Sequence, residues 1–148
     1  MASVGTYLNF PRNTEEAFLF YQSVFGGEFQ GGIMRFGNSP GADGNPLSEE
    51  DQNLVMHVAL PIIGGHLLMG TDAPESMGFK INVGNNTYIC MTLDTRAETQ
   101  RLFGLLSAEG KVEMALQDAP WGSFYGIATD KFGIQWMFDC AEKDENEK

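Results

Sequence analysis

Residues 6–27, TYLNFPRNTEEAFLFYQSVFGG, carry the pattern on which the fold prediction depends. The run Thr6–Phe10 alternates polar and apolar residues, as a half-buried strand does. After a Pro-Arg-Asn turn, apolar residues recur at helical spacing, and Asn13 followed three residues later by Glu16 resembles a capping box. Two glycines close the stretch, and glycine readily takes the left-handed conformation that ends helices. The stretch therefore predicts a strand followed by a capped amphipathic helix.

The same order of elements returns in the second half of the chain. A strand-like run, YICMTL, precedes a capping box of the usual Thr-x-x-Glu form at Thr95 and Glu98. Strand-like runs follow both helices, and residues 65–69, GHLLM, align with residues 133–137, GIQWM. The chain is therefore interpreted as an internal repeat, in which neither half can bury its sheet alone.

From this repeat we predict an α+β fold of two βαβββ modules, at about residues 4–72 and about residues 86–140. Their curved mixed sheets are expected to face each other across a cleft, with the helices outside. The modules would form one domain over residues 1–148 that ends in a polar tail at 141–148. A strand is expected at residues 28–36, and the Gly-, Pro- and acid-rich residues 37–53 are expected to form a mobile loop or a lid.

Composition and charge limit the classes of partner. The chain has 148 residues, with nine basic against twenty acidic, which gives a formal charge of −11 and argues against nucleic-acid binding. It contains no apolar run long enough to span a bilayer, and the first residues lack the pattern of a secretory signal, so no membrane association is expected. Cys90 and Cys140 are too few for a disulfide framework and have no metal-binding spacing, which favours a cytoplasmic location.

Several short motifs are spread along the chain. They are YLNF (7–10), TEEAF (14–18), FYQSVFGG (20–27), MHVAL (56–60), LMGTDA (68–73), WG (121–122) and TDKFGIQW (129–136). Together they resemble the PhnB-like branch of the vicinal-oxygen-chelate superfamily, which includes glyoxalases, bleomycin-resistance proteins and dioxygenases. The resemblance runs from about residue 7 to about residue 140. It implies a glyoxalase-like fold of paired βαβββ modules, a homodimer and a cleft for a small-molecule ligand.

The resemblance also implies where a metal would be held. In enzymatic members, His, Gln and Glu side chains from the first and last strands of each half bind a divalent ion. The corresponding positions in this chain fall near Thr6, Met69, Tyr88 and Met137. Neutral hydroxyls bind hard divalent ions poorly, and thioethers prefer soft ions. We therefore predict no metal at this site and no other cofactor, and whether the protein is an enzyme stays open.

Five residues are candidates for lining the ligand cleft: His57, Met69, Tyr88, Trp121 and Met137. Deformable methionines and aromatic rings are typical walls of an apolar small-molecule site. Each of these residues also has a structural interpretation, as part of the core or of a dimer contact. Alternation along the last strand places Trp136 and Met137 on opposite faces, and we expect Trp136 to pack under the helix.

His57 is the catalytic candidate. It is either a base or ligand in the cleft, or a half-buried strand residue without a chemical role. The carboxylates of Asp72, Glu75 and Asp94 are the groups that would complete a site around it. The leading functional hypothesis is a metal-free binder of a small apolar or aromatic molecule. The alternative is a metal-dependent lyase or dioxygenase of the glyoxalase type that uses a displaced site around His57; an interaction module is a third possibility.

Overall fold

A computed structural model describes residues 1–41 and 44–142. Ala42, Asp43 and residues 143–148 lie outside the described residues. Most of the predicted polar tail at 141–148 therefore falls outside them, as does one acidic residue of the loop at 37–53. The described chain divides into two compact units, of which the first is Met1–Asn82 and the second begins at Val83.

The first unit has the predicted βαβββ order, with one additional short helix. The elements are β1 (Thr6–Phe10), α1 (Thr14–Phe25), β2 (Met34–Arg35), α2 (Glu49–Gln52), β3 (Val55–Pro61) and β4 (Leu67–Asp72). The four-stranded sheet has the order β1-β4-β3-β2, in which β1 and β4 are parallel and the other pairs are antiparallel.

The second unit repeats this arrangement without the additional helix. The elements are β5 (Ile89–Leu93), α3 (Arg96–Ser107), β6 (Lys111–Asp118), β7 (Phe124–Thr129) and β8 (Gln135–Cys140). The sheet has the order β5-β8-β7-β6, again with one parallel pair, β5 and β8. The predicted α+β class and the two βαβββ modules are thus confirmed.

In each unit the long helix packs on one face of its own sheet, because apolar residues alternate along the strands. In the first unit Phe18 of α1 lies so close to Gly70 of β4 that a Cβ there would be 2.6 Å from its ring. In the second unit Phe103 of α3 meets Phe138 of β8 at a ring-centroid distance of 5.0 Å. Trp136 is fully buried in the same core, as the alternation predicted.

The two long helices begin in different ways. Thr95 caps α3 as predicted, since its side chain accepts a hydrogen bond from the Glu98 amide at 3.1 Å. The predicted capping box of α1 is wrong, because the Asn13 side chain makes no capping hydrogen bond. The Thr14 amide instead donates to Asp72 at the end of β4, at 3.0 Å. A residue distant in sequence therefore supplies an acceptor for the first amide of the helix.

The segment between α1 and β3 departs most from expectation. The strand predicted at 28–36 is reduced to Met34–Arg35, because four glycines between residues 26 and 32 have positive φ and turn the chain. In the loop at 37–53, α2 is tied down by Asp51. Arg12 donates to Asp51 at 2.8 Å, and the Ser76 hydroxyl donates to the same carboxylate at 2.6 Å. None of the helices in the described residues is both long and apolar enough to cross a membrane.

Candidate functional site

Each sheet has a second face, which its own helix does not cover and which we call its open face. In the first unit the strand register puts Tyr7 beside Met69, and β3 places His57 on the same face. Tyr7 is 47% exposed, and His57 and Met69 are half-buried. This face therefore presents a phenol, an imidazole and a thioether side by side.

Tyr7 and His57 form a polar pair on this face. The Tyr7 hydroxyl oxygen lies 3.1 Å from Nδ1 of His57, and the ring centroids are 5.7 Å apart. Which group donates depends on the tautomer of the imidazole. Burial raises the pKa of Tyr7, and a hydrogen bond with Thr71 offsets part of that rise. The pair thus offers a neutral phenol next to an imidazole, which can donate to or accept from a polar ligand group.

Thr6 lies on the other face of β1. It pairs with Leu68, and its hydroxyl oxygen is 2.8 Å from Nε2 of His66. Because neighbouring residues of a strand point to opposite faces, Thr6 and Met69 do not meet on one face. Tyr7 occupies the position next to Met69, and sequence reasoning did not single it out, since the register of a parallel strand pair is not visible in the sequence.

The open face of the second unit carries Cys90, Met137, Tyr125 and Asp139. Cys90 is paired with Met137 across β5 and β8, and Tyr125 with Asp139 across β7 and β8. Tyr88, immediately before β5, has the same alternation as Cys90 and is 37% exposed. Of the cleft candidates, Tyr88 and Met137 therefore lie on this face.

The ionisable groups of this face influence one another. Burial raises the pKa of the Cys90 thiol, and the negative charge of Asp139 raises it further. Burial also raises the pKa of Tyr125, with added contributions from Tyr88, Cys90 and Asp139. Both groups are consequently neutral at pH 7, because the ordinary values already lie above 7. Cys90 is a thiol rather than a nucleophilic thiolate.

The two tryptophans have opposite environments. Trp121 lies in the turn between β6 and β7, is 68% exposed and packs edge-on against Tyr125 with ring centroids 5.6 Å apart. The Trp136 indole is buried and donates to the Asp130 carboxylate at 2.9 Å. Of these two rings, Trp121 is thus the one available to contact a ligand.

The donor set on these faces does not fit the hard divalent ion that the resemblance implies. The strand positions that meet on the open faces hold Tyr7 with Met69 and Cys90 with Met137. A raised pKa keeps Tyr7 and Cys90 protonated, and thioethers favour soft ions. Across residues 1–41 and 44–142, no three His, Cys, Asp or Glu side chains gather into a group that could hold a metal ion.

Of the three carboxylates that were expected to complete a site around His57, neither of the two in the first unit forms a hydrogen bond or ion pair with its ring in the described residues. Both oxygens of Asp72 accept hydrogen bonds from backbone amides, those of Thr14 and Val55. Glu75 is exposed in a short 3-10 turn that follows β4. Asp94 is exposed immediately after β5, in the other unit. Within the first unit, the His57 ring instead has the phenol of Tyr7 beside it.

Known proteins are similar to this chain over nearly its whole length. The model of the Glyoxalase/Bleomycin resistance protein/Dioxygenase superfamily matches residues 4–138. Protein YjdN of Escherichia coli (strain K12) is 29% identical over 150 residues, which cover 95% of this chain and 96% of YjdN. The crystal structure of protein PA1353 from Pseudomonas aeruginosa is 29% identical with a TM-score of 0.81, and covers 97% of this chain and 100% of its own.

A second solved structure is a Bacillus cereus PhnB protein described as a putative 3-demethylubiquinone-9 3-methyltransferase. It is 25% identical with a TM-score of 0.74, and covers 95% of this chain and 100% of its own. Both βαβββ modules are therefore included in each of these similarities.

Proposed function

Because the chain belongs to the glyoxalase/bleomycin resistance protein/dioxygenase superfamily, we propose that it binds a small apolar or aromatic molecule without the superfamily's divalent metal. The observation that carries this proposal is the composition of the open faces. Phenol, thiol and thioether groups stand at paired strand positions, Tyr7 with Met69 and Cys90 with Met137. These groups suit an apolar ligand much better than a hard cation.

The same faces provide both contact area and a few directional polar groups. Aromatic and thioether side chains bind apolar surface with about 25 cal/mol per Å² removed from water. Trp121 and Tyr125 supply ring surface in the second unit, and Tyr7 with His57 supplies hydrogen-bonding atoms in the first. Apolar walls with a small number of polar groups are typical of small-molecule sites.

A titration of methyl-labelled methionine with a neutral aromatic probe, 1-naphthol, tests this proposal. The methyl signals of Met69 and Met137 should shift with saturation, because both side chains lie on open faces. The signal of Met91 should stay fixed, because that residue is 3% exposed and packs in the core. Unchanged signals of Met69 and Met137 at high probe concentration would contradict the proposal.

A second candidate is a metal-dependent lyase or dioxygenase of the glyoxalase type with a displaced site at His57. The observation in its favour is the position of His57 on an open face, with the Tyr7 hydroxyl at 3.1 Å. Metal content separates the two candidates. Retention of a divalent ion that is lost in His57→Ala, together with loss of a lyase or dioxygenase activity, would support the enzyme and contradict the metal-free binder.

A methyltransferase function, which the description of the Bacillus cereus relative raises, finds little support in the strand-to-helix connections. A nucleoside cofactor is usually held by a glycine-rich turn after a strand. Here β1 and α1 are joined by Pro11, Arg12 and Asn13, and β5 and α3 by Asp94 and Thr95. Neither connection contains a glycine, so neither provides the turn at which a backbone approaches a nucleoside closely.

We further propose that the protein is a cytoplasmic homodimer. The edge strand β6 carries exposed apolar residues, Val112 at 48% and Met114 at 40%, and exposed strand edges invite pairing. Light scattering after size-exclusion chromatography should give about twice the chain mass of 16.3 kDa. Met114→Lys should shift the mass towards the monomer, and a monomeric parent protein would contradict the proposal.

A further inference from the structure

We propose that the ligand of the second unit is an organic cation with an aromatic or methylated ammonium head. It would be held by what we call the aromatic–carboxylate site: Trp121, Tyr125 and Asp139. This inference rests on the proposed small-molecule binding and adds the charge of the ligand to it. All three residues belong to one compact unit, so the site depends on the sheet of that unit alone.

The aromatic part of the site is a corner of two rings. Trp121 and Tyr125 meet at an interplanar angle of 72°, with centroids 5.6 Å apart. An edge-to-face pair leaves one ring face directed away from the contact. Trp121 is 68% exposed, so its ring is accessible to a ligand. Ring faces attract cations through the quadrupole of the π system, most strongly for tryptophan.

The negative part of the site is Asp139. It lies directly across from Tyr125 on the neighbouring strand, and side chains in such pairs have Cβ atoms roughly 5 Å apart. Its charge contributes to the raised pKa of Cys90 and of Tyr125, which places all three groups within electrostatic range. Asp139 is half-buried, so its charge is less screened than that of a fully exposed carboxylate.

Asp139 also lacks a cationic partner within the described part of the second unit. Each Lys and Arg between residues 83 and 142 forms an ion pair with another carboxylate: Arg96–Asp118, Arg101–Glu98, Lys111–Glu113 and Lys131–Glu109. A monocation would provide the missing counter-charge. Cys90 and Tyr125, whose thiol and phenol are neutral, add no further charge beside Asp139. The formal net charge of −11 attracts cations over a longer range as well.

Two probes of similar shape test the charge requirement: N-methylquinolinium, a permanent cation, and 4-methylquinoline, which is neutral at pH 8. Calorimetry gives both affinities, and the indole N–H signals locate the binding. The Trp121 signal should shift, while the Trp136 signal stays fixed because that indole is buried against Asp130. We expect the cation to bind roughly tenfold more tightly than the neutral probe.

Asp139→Asn should remove most of that tenfold preference and leave the neutral probe unaffected. Glu28→Gln is the matched control, since it removes one exposed carboxylate charge from the other unit and should leave the preference intact. An unchanged Trp136 signal shows that a variant is folded. If Asp139→Asn does not fold, Trp121→Leu gives a second test and should weaken cation binding severalfold.

Equal affinity of the two probes, with a shifted Trp121 signal, would overturn the cation inference and leave small-molecule binding supported. A preference that survives Asp139→Asn would overturn it too. Binding of neither probe would overturn the inference, and the naphthol titration of the methionine methyl groups would then decide separately whether the proposed function also fails.

Discussion

Asp72 is predicted to be a structural acceptor, although the sequence offered it as part of a site around His57. It is 2% exposed and accepts hydrogen bonds from the Thr14 amide at 3.0 Å and the Val55 amide at 2.8 Å. It therefore joins the start of α1 to the start of β3. Removing its carboxylate should lower the free energy of unfolding without changing ligand binding.

The magnitude follows from the two hydrogen bonds. A hydrogen bond to a charged group contributes about 1.5–3 kcal/mol, and a buried amide left unpaired costs about 1–3 kcal/mol. Asp72→Asn keeps one acceptor oxygen but turns an NH₂ group towards an N–H, so we expect a loss of about 2–4 kcal/mol. Asp72→Ala removes both acceptors and should cost about 3–6 kcal/mol.

Urea unfolding followed by circular dichroism measures these losses, with Asp94→Asn as the control. Asp94 is exposed, and its substitution should change the free energy of unfolding by less than about 0.5 kcal/mol. Naphthol affinity of folded Asp72→Asn should equal that of the parent. An Asp72→Asn protein as stable as the control would refute the structural role, and normal stability combined with lost binding would assign Asp72 to the site instead.

The remaining predictions concern packing and pH. Gly70→Ala places a Cβ 2.6 Å from the Phe18 ring and should destabilise the protein by about 1–3 kcal/mol in thermal unfolding. The control Gly104→Ala, which has open space in α3, should stabilise the protein by up to about 1 kcal/mol. Equal effects of the two substitutions would contradict the packing of Phe18 on Gly70. The Ser76 hydroxyl is the main group that lowers the pKa of Asp51 below 3.8, so the stability from Asp51 is present above that pH and lost as pH falls through the lowered value. The stability difference between the parent and Asp51→Asn should therefore shrink in acid, and a constant difference from pH 7 to pH 2 would contradict it.

Local signals in the sequence were sufficient to predict the two βαβββ modules. The Thr95 cap and the alternation that buries Trp136 depend on neighbouring residues, and both are found in the structure. The cap of α1 could not be predicted, because its acceptor, Asp72, is 58 residues from Thr14. The short β2 has a similar explanation, since the positive φ values of four nearby glycines outweigh the local strand propensity.

The candidate site was predictable only in part, because pairing between strands decides which residues meet. Alternation alone predicted that the side chains of Met137 and Trp136 lie on opposite faces of the sheet. The neighbour of Met69 is Tyr7 rather than Thr6, and a shift of one residue changes the face of every side chain. Asp139 was missed for the same reason, since only the pairing of β7 with β8 brings it beside Tyr125.

The metal content of the purified protein tests the central claim most directly. Protein prepared without chelator, and again after exposure to Zn²⁺, Ni²⁺, Mn²⁺ and Fe²⁺ followed by desalting, is measured by elemental analysis. The phenol, thiol and thioether groups at the paired strand positions predict that no ion is retained near one equivalent per chain. Near-stoichiometric retention of one ion, lost in His57→Ala, would contradict the metal-free binder and make the enzyme the working hypothesis.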